Sequence, residues 1–439
     1  MKQTILLFLC QLLLVAAYAQ SPLQSGPMVG YSEMREVMLW AQTKEPARVQ
    51  IRYWDQAAPK QTFLTDEVQT AKQTAFTAHL LADQVQPGKK YDYEVLINGK
   101  KVALNYPTTF QTQTLWQWRT DPPAFQFAVG SCAYVNEPDV DRPGTPYGGN
   151  YEIFTSIAAK KPDFMLWTGD NTYLREVDWN TRSGVLRRYT HTRSLPEMQP
   201  LLGSTHNYAM WDDHDFGPND SDRAYWFKPI TLEAFKLFWA NPNYIFNEGC
   251  TGTFFWNDCQ FFLLDDRTYR TPNDLKTVER TMLGQKQFDW LIDALSSSQA
   301  PFKFVIIGGQ VINPMAVYET YATFGDERNR LIKSITDAKI PGVIFITGDR
   351  HHSIVHKLDR PGTYPLYDFT ISPLTSGPAK PLADELKQPT VVEGTLVTER
   401  NFAMMNITGP MKDRALKVTV YDSNGKEKWV QEIKASQLK

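Results

Sequence analysis

The sequence predicts an α/β domain preceded by a small all-β unit, and three observations carry that prediction. The chain has 439 residues, more than one hydrophobic core ordinarily organises, so two domains are expected. From Gly30 to about Phe110 short apolar runs alternate with polar segments, as strands and turns do. From Phe125 onward short apolar runs are followed by stretches of helical period, the pattern of strands layered with helices. The change falls near residue 115, giving an N-terminal unit over 20–115 and a larger domain over 120–439.

In the first unit the strand-like runs are Val37–Trp40, Val49–Tyr53, Phe76–Leu80 and Tyr91–Ile97. The stretch Leu80–Val95, with Pro87-Gly88 ahead of Tyr91-Asp92-Tyr93-Glu94-Val95, resembles the fibronectin type III pattern of a turn leading into a Tyr-rich strand. That likeness implies a fibronectin III or Ig-like sandwich. The unit offers no cluster of His, Cys or carboxylates, so a spacer or docking role is expected, with His79 structural. In the second domain the strand runs are Phe125–Val129, Asp163–Thr168, Tyr208–Trp211, Phe261–Leu264, Phe302–Ile307 and Val343–Thr347. Helices are expected near Tyr151–Ala159, Leu232–Trp239, Gly284–Ser296 and Glu327–Ala338. Leu416–Tyr421 and Lys428–Ile433 flank Asn424-Gly425, a hairpin signal.

Composition narrows the function. There are 46 Lys and Arg against 48 Asp and Glu, a formal net charge of −2, without the basic excess of a general nucleic-acid binder. At 42% hydrophobic residues the chain can build packed cores and is not a disordered tail. Four cysteines are too few for a disulfide scaffold. Lys2, the apolar run Ile5–Val15 and Ala17-Tyr18-Ala19 have the layout of a secretory signal over 1–19, cleaved before Gln20. The run is shorter than the ~20 residues of a membrane span. A secreted or periplasmic protein without a stable membrane anchor is therefore expected. Thr251–Trp256 and Cys259–Leu264 read as a hairpin around Asn257-Asp258, which sets Cys250 too far along the ladder to pair with Cys259. Both are expected as buried free thiols.

Chemistry collects where the apolar runs stop. Phe127-Ala128-Val129 leads into Gly130-Ser131-Cys132, and Phe164–Thr168 into Gly169-Asp170-Asn171-Thr172-Tyr173. Tyr208–Trp211 leads into Asp212-Asp213-His214-Asp215, and Val343–Thr347 into Gly348-Asp349-Arg350-His351-His352. In α/β sheets, side chains just past the carboxyl ends of strands converge on one crevice. A thiolate, a phenolate, carboxylates and imidazoles are metal ligands. Any one Gly-Asp pair is ordinarily a turn, and a lone buried Cys an inert hydrophobe; four such endings in one domain are hard to ascribe to chance.

As an ordered set, Gly130-Ser131-Cys132, Gly169-Asp170-x-x-Tyr173, Trp211-Asp212-Asp213-His214-Asp215 and Gly348-Asp349-x-His351 resemble the alkaline phosphatase D (PhoD-like) family of the metallophosphoesterase superfamily. Leu264-Asp265-Asp266-Arg267-x-Tyr269-Arg270 resembles a further segment of that family. The resemblance implies a four-layer αββα sandwich holding ferric iron with calcium. It places Cys132, Asp170, Tyr173 and His351 around iron, with Asp170 bridging to a second metal completed by Asp213 and Asp349. The same likeness implies Asn219 as a further candidate contact for calcium or substrate. The activity implied is hydrolysis of phosphate mono- or diesters, as a phosphatase or phosphodiesterase, by a metal-bound hydroxide, with His214 steadying the transition state or protonating the leaving oxygen.

Departures and rivals complete the reading. Asp215 stands where family members often carry Glu. His352, next to His351, is expected to point away if the strand alternates there, and His356 to be structural or exposed. His206 carries no motif but could approach the site. Gln310 is expected to contact substrate or pack. The segment Glu176–Thr205 is expected to shape the substrate entrance. A phospholipase or nucleotidase would use the same site, and a catalytically silent, metal-stabilised binding module is the alternative from another class.

Overall fold

Three runs of buried residues, Phe125–Gly130, Phe164–Thr168 and His206–Met210, lie parallel at the heart of a nine-stranded sheet in the computed structural model, which describes residues 21–439. The secretory signal expected over 1–19 lies outside the described residues. On one side the sheet continues antiparallel through Asn401–Thr408, Ala415–Asp422 and Glu427–Lys434. The last two form the hairpin expected at Asn424-Gly425. On the other side it continues through Leu23–Ser32, Val37–Thr43 and Thr77–Ala82.

A second sheet of six strands runs Gly252–Trp256, Cys259–Leu263, Lys303–Ile306, Val343–Thr347, Leu366–Thr370, Ile354–Leu358. Its four middle strands are parallel. Trp256 pairs with Cys259 as the turn residues require, and Cys250 and Cys259 are buried and free. The two sheets meet through aromatic rings. Phe127 stacks on Phe164 at 4.8 Å, both stand edge-on to Phe261 at 5.3 Å, and Tyr208 stacks on Phe254 at 3.8 Å. Such rings bury large areas and prefer these offset and edge arrangements, so they fix the spacing of the sheets and the alignment of the strand ends.

The N-terminal region is joined to this body by a sheet. Strand Leu23–Ser32 pairs in parallel with His206–Met210 at Val29 and His206. Because side chains alternate across a strand, its two faces serve two cores. Met28 and Trp40 enter the main core, while Val29, Leu39 and Ala41 pack with Ile51, Tyr53, Tyr91 and Phe110 of a third, smaller sheet. Trp40 Nε1 donates to the Leu237 carbonyl at 2.8 Å. The spacer expected from the sequence is therefore built into the main sheet. His79 is structural, with Nε2 3.2 Å from the Trp239 carbonyl.

Helices Glu152–Ala159, Lys228–Phe238, Gly284–Ser297 and Gly325–Asp337 lie where the sequence indicates them. A helix over Arg182–Arg193 was not expected; its N-cap Thr181 accepts from Gly184 N, and it packs against Lys228–Phe238. Among the described residues, no helix is long and apolar enough to cross a membrane.

Candidate metal and phosphoester site

Each predicted ligand stands just past the end of a strand. Cys132 follows Phe125–Gly130, Asp170 and Tyr173 follow Phe164–Thr168, Asp213 and His214 follow His206–Met210, and Asp349 and His351 follow Val343–Thr347. Four of them hold left-handed backbone, with φ of 60° at Cys132, 52° at Asp170, 61° at Asp349 and 54° at His351. That conformation costs a residue with a Cβ about 1–2 kcal/mol, and such strain gathers at functional sites. The preceding glycines allow close approach. A Cβ on Gly169, whose φ is 92°, would lie 2.6 Å from the Asp212 Cβ, and one on Gly348 would lie 2.6 Å from Ser131 Oγ.

The side chains converge. Tyr173 OH donates to Asp170 Oδ2 at 2.9 Å and lies 3.2 Å from His351 Nε2. Cys132 Sγ is 3.6 Å from the same Asp170 oxygen and 3.8 Å from the Asp349 carbonyl. Ligand atoms of Cys132, Asp170 and His351 lie within 4.8 Å of one another, as do those of Asp170, Asp213 and His214, and those of Asp212, Asp213 and Glu319. Asp349 lines a cavity of about 340 Å³ together with Asp170, Asp213, His214 and His351. Asn219 is exposed at its edge.

The electrostatics are those of a cation site. Burial, then Asp213 and Asp212, raises Asp170. Burial, then Glu319 and Asp213, pushes Asp349 up to about 7. Burial and then Asp170 raise both the Cys132 thiol and the Tyr173 phenol. Burial lowers His351 to about 4, so its imidazole is neutral, and its Nδ1 lies 2.8 Å from the Gly377 carbonyl. Asp213 moves down: burial opposes ionisation, but His214, Arg267 and the Asp220 N–H, which donates at 2.7 Å, outweigh it. Buried carboxylates crowded together with a thiol and a phenol favour a bound cation. The side-chain atoms Asp212 Oδ2 and Asp266 Oδ1 are buried without hydrogen-bond donors. The donor set, one sulfur, one phenol, imidazole and carboxylates, fits iron with a harder, oxygen-seeking cation.

Several expectations change. His352 does not point away; it is buried and lines the same cavity, because residues 349–351 are not extended and the strand alternation is broken there. His356 is buried, with Nδ1 3.0 Å from Thr390 Oγ1. His206 lies at the other end of its strand, with Nδ1 2.7 Å from the Gly30 carbonyl and Nε2 accepting from Gln111 N at 3.1 Å. Gln310 packs, donating to Thr370 Oγ1 at 2.9 Å and accepting from Asn313 and Arg350. Residues 176–205 line neither this cavity nor the one beside it. Asp215 holds its own turn: with Asp212 it forms a capping box, and its Oδ2 accepts from Asp212 N and Asn171 N at 3.1 Å each. The His214 ring lies 4.2 Å from that of Tyr173.

Some site residues carry no sequence signal. Glu319, in a loop, pairs with buried Arg267 and with Arg270 at 2.6 Å each. Ser372 Oγ lies 3.2 Å from Cys132 Sγ and accepts from His351 N at 3.1 Å. The Arg267 partner, Asp212, was visible only as part of an acidic run.

The PhoD-like phosphatase family matches residues 252–414, and a domain of unknown function, DUF7800, matches residues 20–115. Alkaline phosphatase D of Bacillus subtilis (strain 168) is 22% identical over 332 residues, covering 64% of this chain and 54% of that protein. The chain thus matches about half the length of this relative. A solved structure of PhoD superposes with a TM-score of 0.76 at 17% identity, covering 95% of this chain and 93% of that one. The purple acid phosphatase PPD1 from yellow lupin superposes with a TM-score of 0.68 at 10% identity, covering 93% and 74%. Both share the α/β fold described above. Residues 252–414 are thus similar to the PhoD-like phosphatase family, and the chain shares the fold of PhoD.

Proposed function

We propose that the protein is a secreted, metal-dependent phosphoric-ester hydrolase acting on phosphate mono- or diesters. The observation that carries this reading is the meeting of Cys132, Asp170, Tyr173 and His351, from three separate strand ends, within 4 Å contacts and beside Asp213 and Asp349. In this reading the first four hold ferric iron, and Asp170 is shared with a second cation, calcium, completed by Asp213, Asp349 and Asn219. The bound cations supply an activated water and offset charge on the phosphoryl oxygens. Asp170 holds the two halves of the site in register through Tyr173 and the His214 N–H, which donates to its Oδ1 at 3.2 Å. His214, set against Tyr173 and open to the cavity, donates a proton to the phosphoryl or leaving oxygen. Cys132 is a ligand and not a nucleophile, because its thiol is buried and held protonated in the absence of a cation.

The same proposal extends to the whole chain. It comprises a signal peptide over 1–19, a fibronectin III or Ig-like unit over 20–115, and a four-layer αββα catalytic domain over 120–439, working outside the cytoplasm. The test is hydrolysis of p-nitrophenyl phosphate and of bis(p-nitrophenyl) phosphate in iron and calcium, beside Asp170→Asn. Turnover by wild type falling about 10³-fold in the variant is expected, and the ester ratio separates monoesterase from diesterase. A metal-loaded wild type silent on both esters would remove the reading.

A further inference from the structure

Nine arginines are buried among the described residues, and eight of them donate hydrogen bonds from their guanidinium groups. Carboxylates receive Arg188, Arg267, Arg350 and Arg414, carbonyls receive Arg193, Arg328 and Arg360, and Asn273 receives Arg270. Arg175 is the exception. Its side chain is 7% exposed, its Nε is buried without a partner, and its ion-pair partner is the half-exposed Glu176 at 3.6 Å. An unsatisfied buried guanidinium is costly unless something else completes it.

Arg175 lines a cavity of about 250 Å³ that abuts the metal cluster. Tyr147, His214 and Asn219 line both cavities, so the two are continuous, while Asp170, Asp213 and Asp349 line only the larger. The walls are aromatic, with Tyr134 5.0 Å from both Tyr147 and Tyr173, ring to ring. Exposed Arg142 lines the same cavity and makes no ion pair among the described residues. One carboxylate is present, Asp141, but both its oxygens are engaged, by Tyr134 OH and by Glu137 N at 2.6 Å each. Two guanidinium groups, neither hydrogen-bonded to a carboxylate, beside aromatic walls match a doubly donated anion.

We infer that this side cavity binds a second anionic group, a carboxylate or a phosphate, carried on the leaving half of the ester, with Arg175 as its principal contact and Arg142 at the mouth. The inference rests on the phosphoesterase reading for its orientation, since the ester would sit in the larger cavity and its leaving half in this one. The protein is then selective for phosphoesters whose alcohol portion carries its own negative charge beside a flat or apolar body.

The test measures binding and turnover separately on metal-loaded protein. Calorimetry compares phenylphosphonate with 4-phosphonobenzoate and benzene-1,4-diphosphonate, the last two distinguishing carboxylate from phosphate as the second anion. Wild type should bind at least one doubly anionic probe about tenfold more tightly than phenylphosphonate, the scale of one charged hydrogen-bonded contact. Arg175→Gln should reduce that preference to about twofold, and Arg175→Lys should keep part of it. A merely structural arginine would weaken all three probes alike and leave the preference intact. Should Arg175→Gln fail to fold, Arg142→Gln, a surface change, should still lower the preference about threefold. No preference in wild type, or one unchanged by Arg175→Gln and Arg142→Gln, overturns the inference. Phenyl phosphate turnover without the preference sinks this pocket alone. The preference without turnover of any ester supports the pocket and removes the phosphatase reading.

Discussion

One carboxylate, that of Asp170, meets Tyr173 OH at 2.9 Å, Cys132 Sγ at 3.6 Å and the His214 N–H at 3.2 Å, so three strand ends depend on its charge and shape. Its neighbour Asp215 has a different task. Two buried backbone N–H groups, of Asp212 and Asn171, end on its Oδ2, which ties the turn carrying Asp213 and His214 to the turn carrying Asp170. Asp215→Ala would leave both donors unsatisfied and should cost about 2–4 kcal/mol of stability, whereas Asp215→Asn keeps an acceptor and should cost less than about 1.5 kcal/mol. Urea unfolding of the two variants beside wild type checks this, and equal losses would refute the capping role.

At the scale of elements, the site is the product of four tight exits from parallel strands. Gly169 sits in one of them, with φ of 92° and no room for a Cβ against Asp212. Gly169→Ala should therefore cost about 2–3 kcal/mol and weaken metal retention, read by denaturant midpoint and by metal content after dialysis. An alanine tolerated without loss would show that the turn can relax. These exits were legible in the sequence because each joins an apolar run such as Phe164–Thr168 to a ligand, in three of the four through a Gly. Glu319, Ser372 and Arg175 were not, since they lie in loops and reach the site only through tertiary contacts. The strand Leu23–Ser32 was hidden by Gly26-Pro27 within it. The helix Arg182–Arg193 was hidden because Arg188 and Arg193 share its buried side with Val185, Leu186 and Tyr189, which erases the apolar stripe. His352 was misplaced because strand alternation was extended past a point where φ turns positive.

At the scale of the molecule, the N-terminal unit and the main body share one sheet, and His206 sits at their joint. Burial lowers its pKa to about 4, and it holds Gly30 and Gln111 as a neutral ring. A histidine depressed from about 6.5 leaves stability complete above that pH and withdraws it as pH falls toward 4, by ~3 kcal/mol in all. Melting between pH 7 and pH 4 should show that loss, and His206→Gln, which cannot take a proton, should flatten the profile; an unchanged slope would refute it. Both units, on this account, hold the strand ends in place for a cation cluster. The most direct test is to measure metal by mass spectrometry, with p-nitrophenyl phosphate turnover, in wild type, Cys132→Ala and Asp170→Asn. The account predicts iron and a second cation in active wild type, with both the metal and the turnover lost from Asp170→Asn and iron depleted in Cys132→Ala. Wild type that hydrolyses the ester without metal, or Asp170→Asn that keeps its metals and full activity, would contradict it.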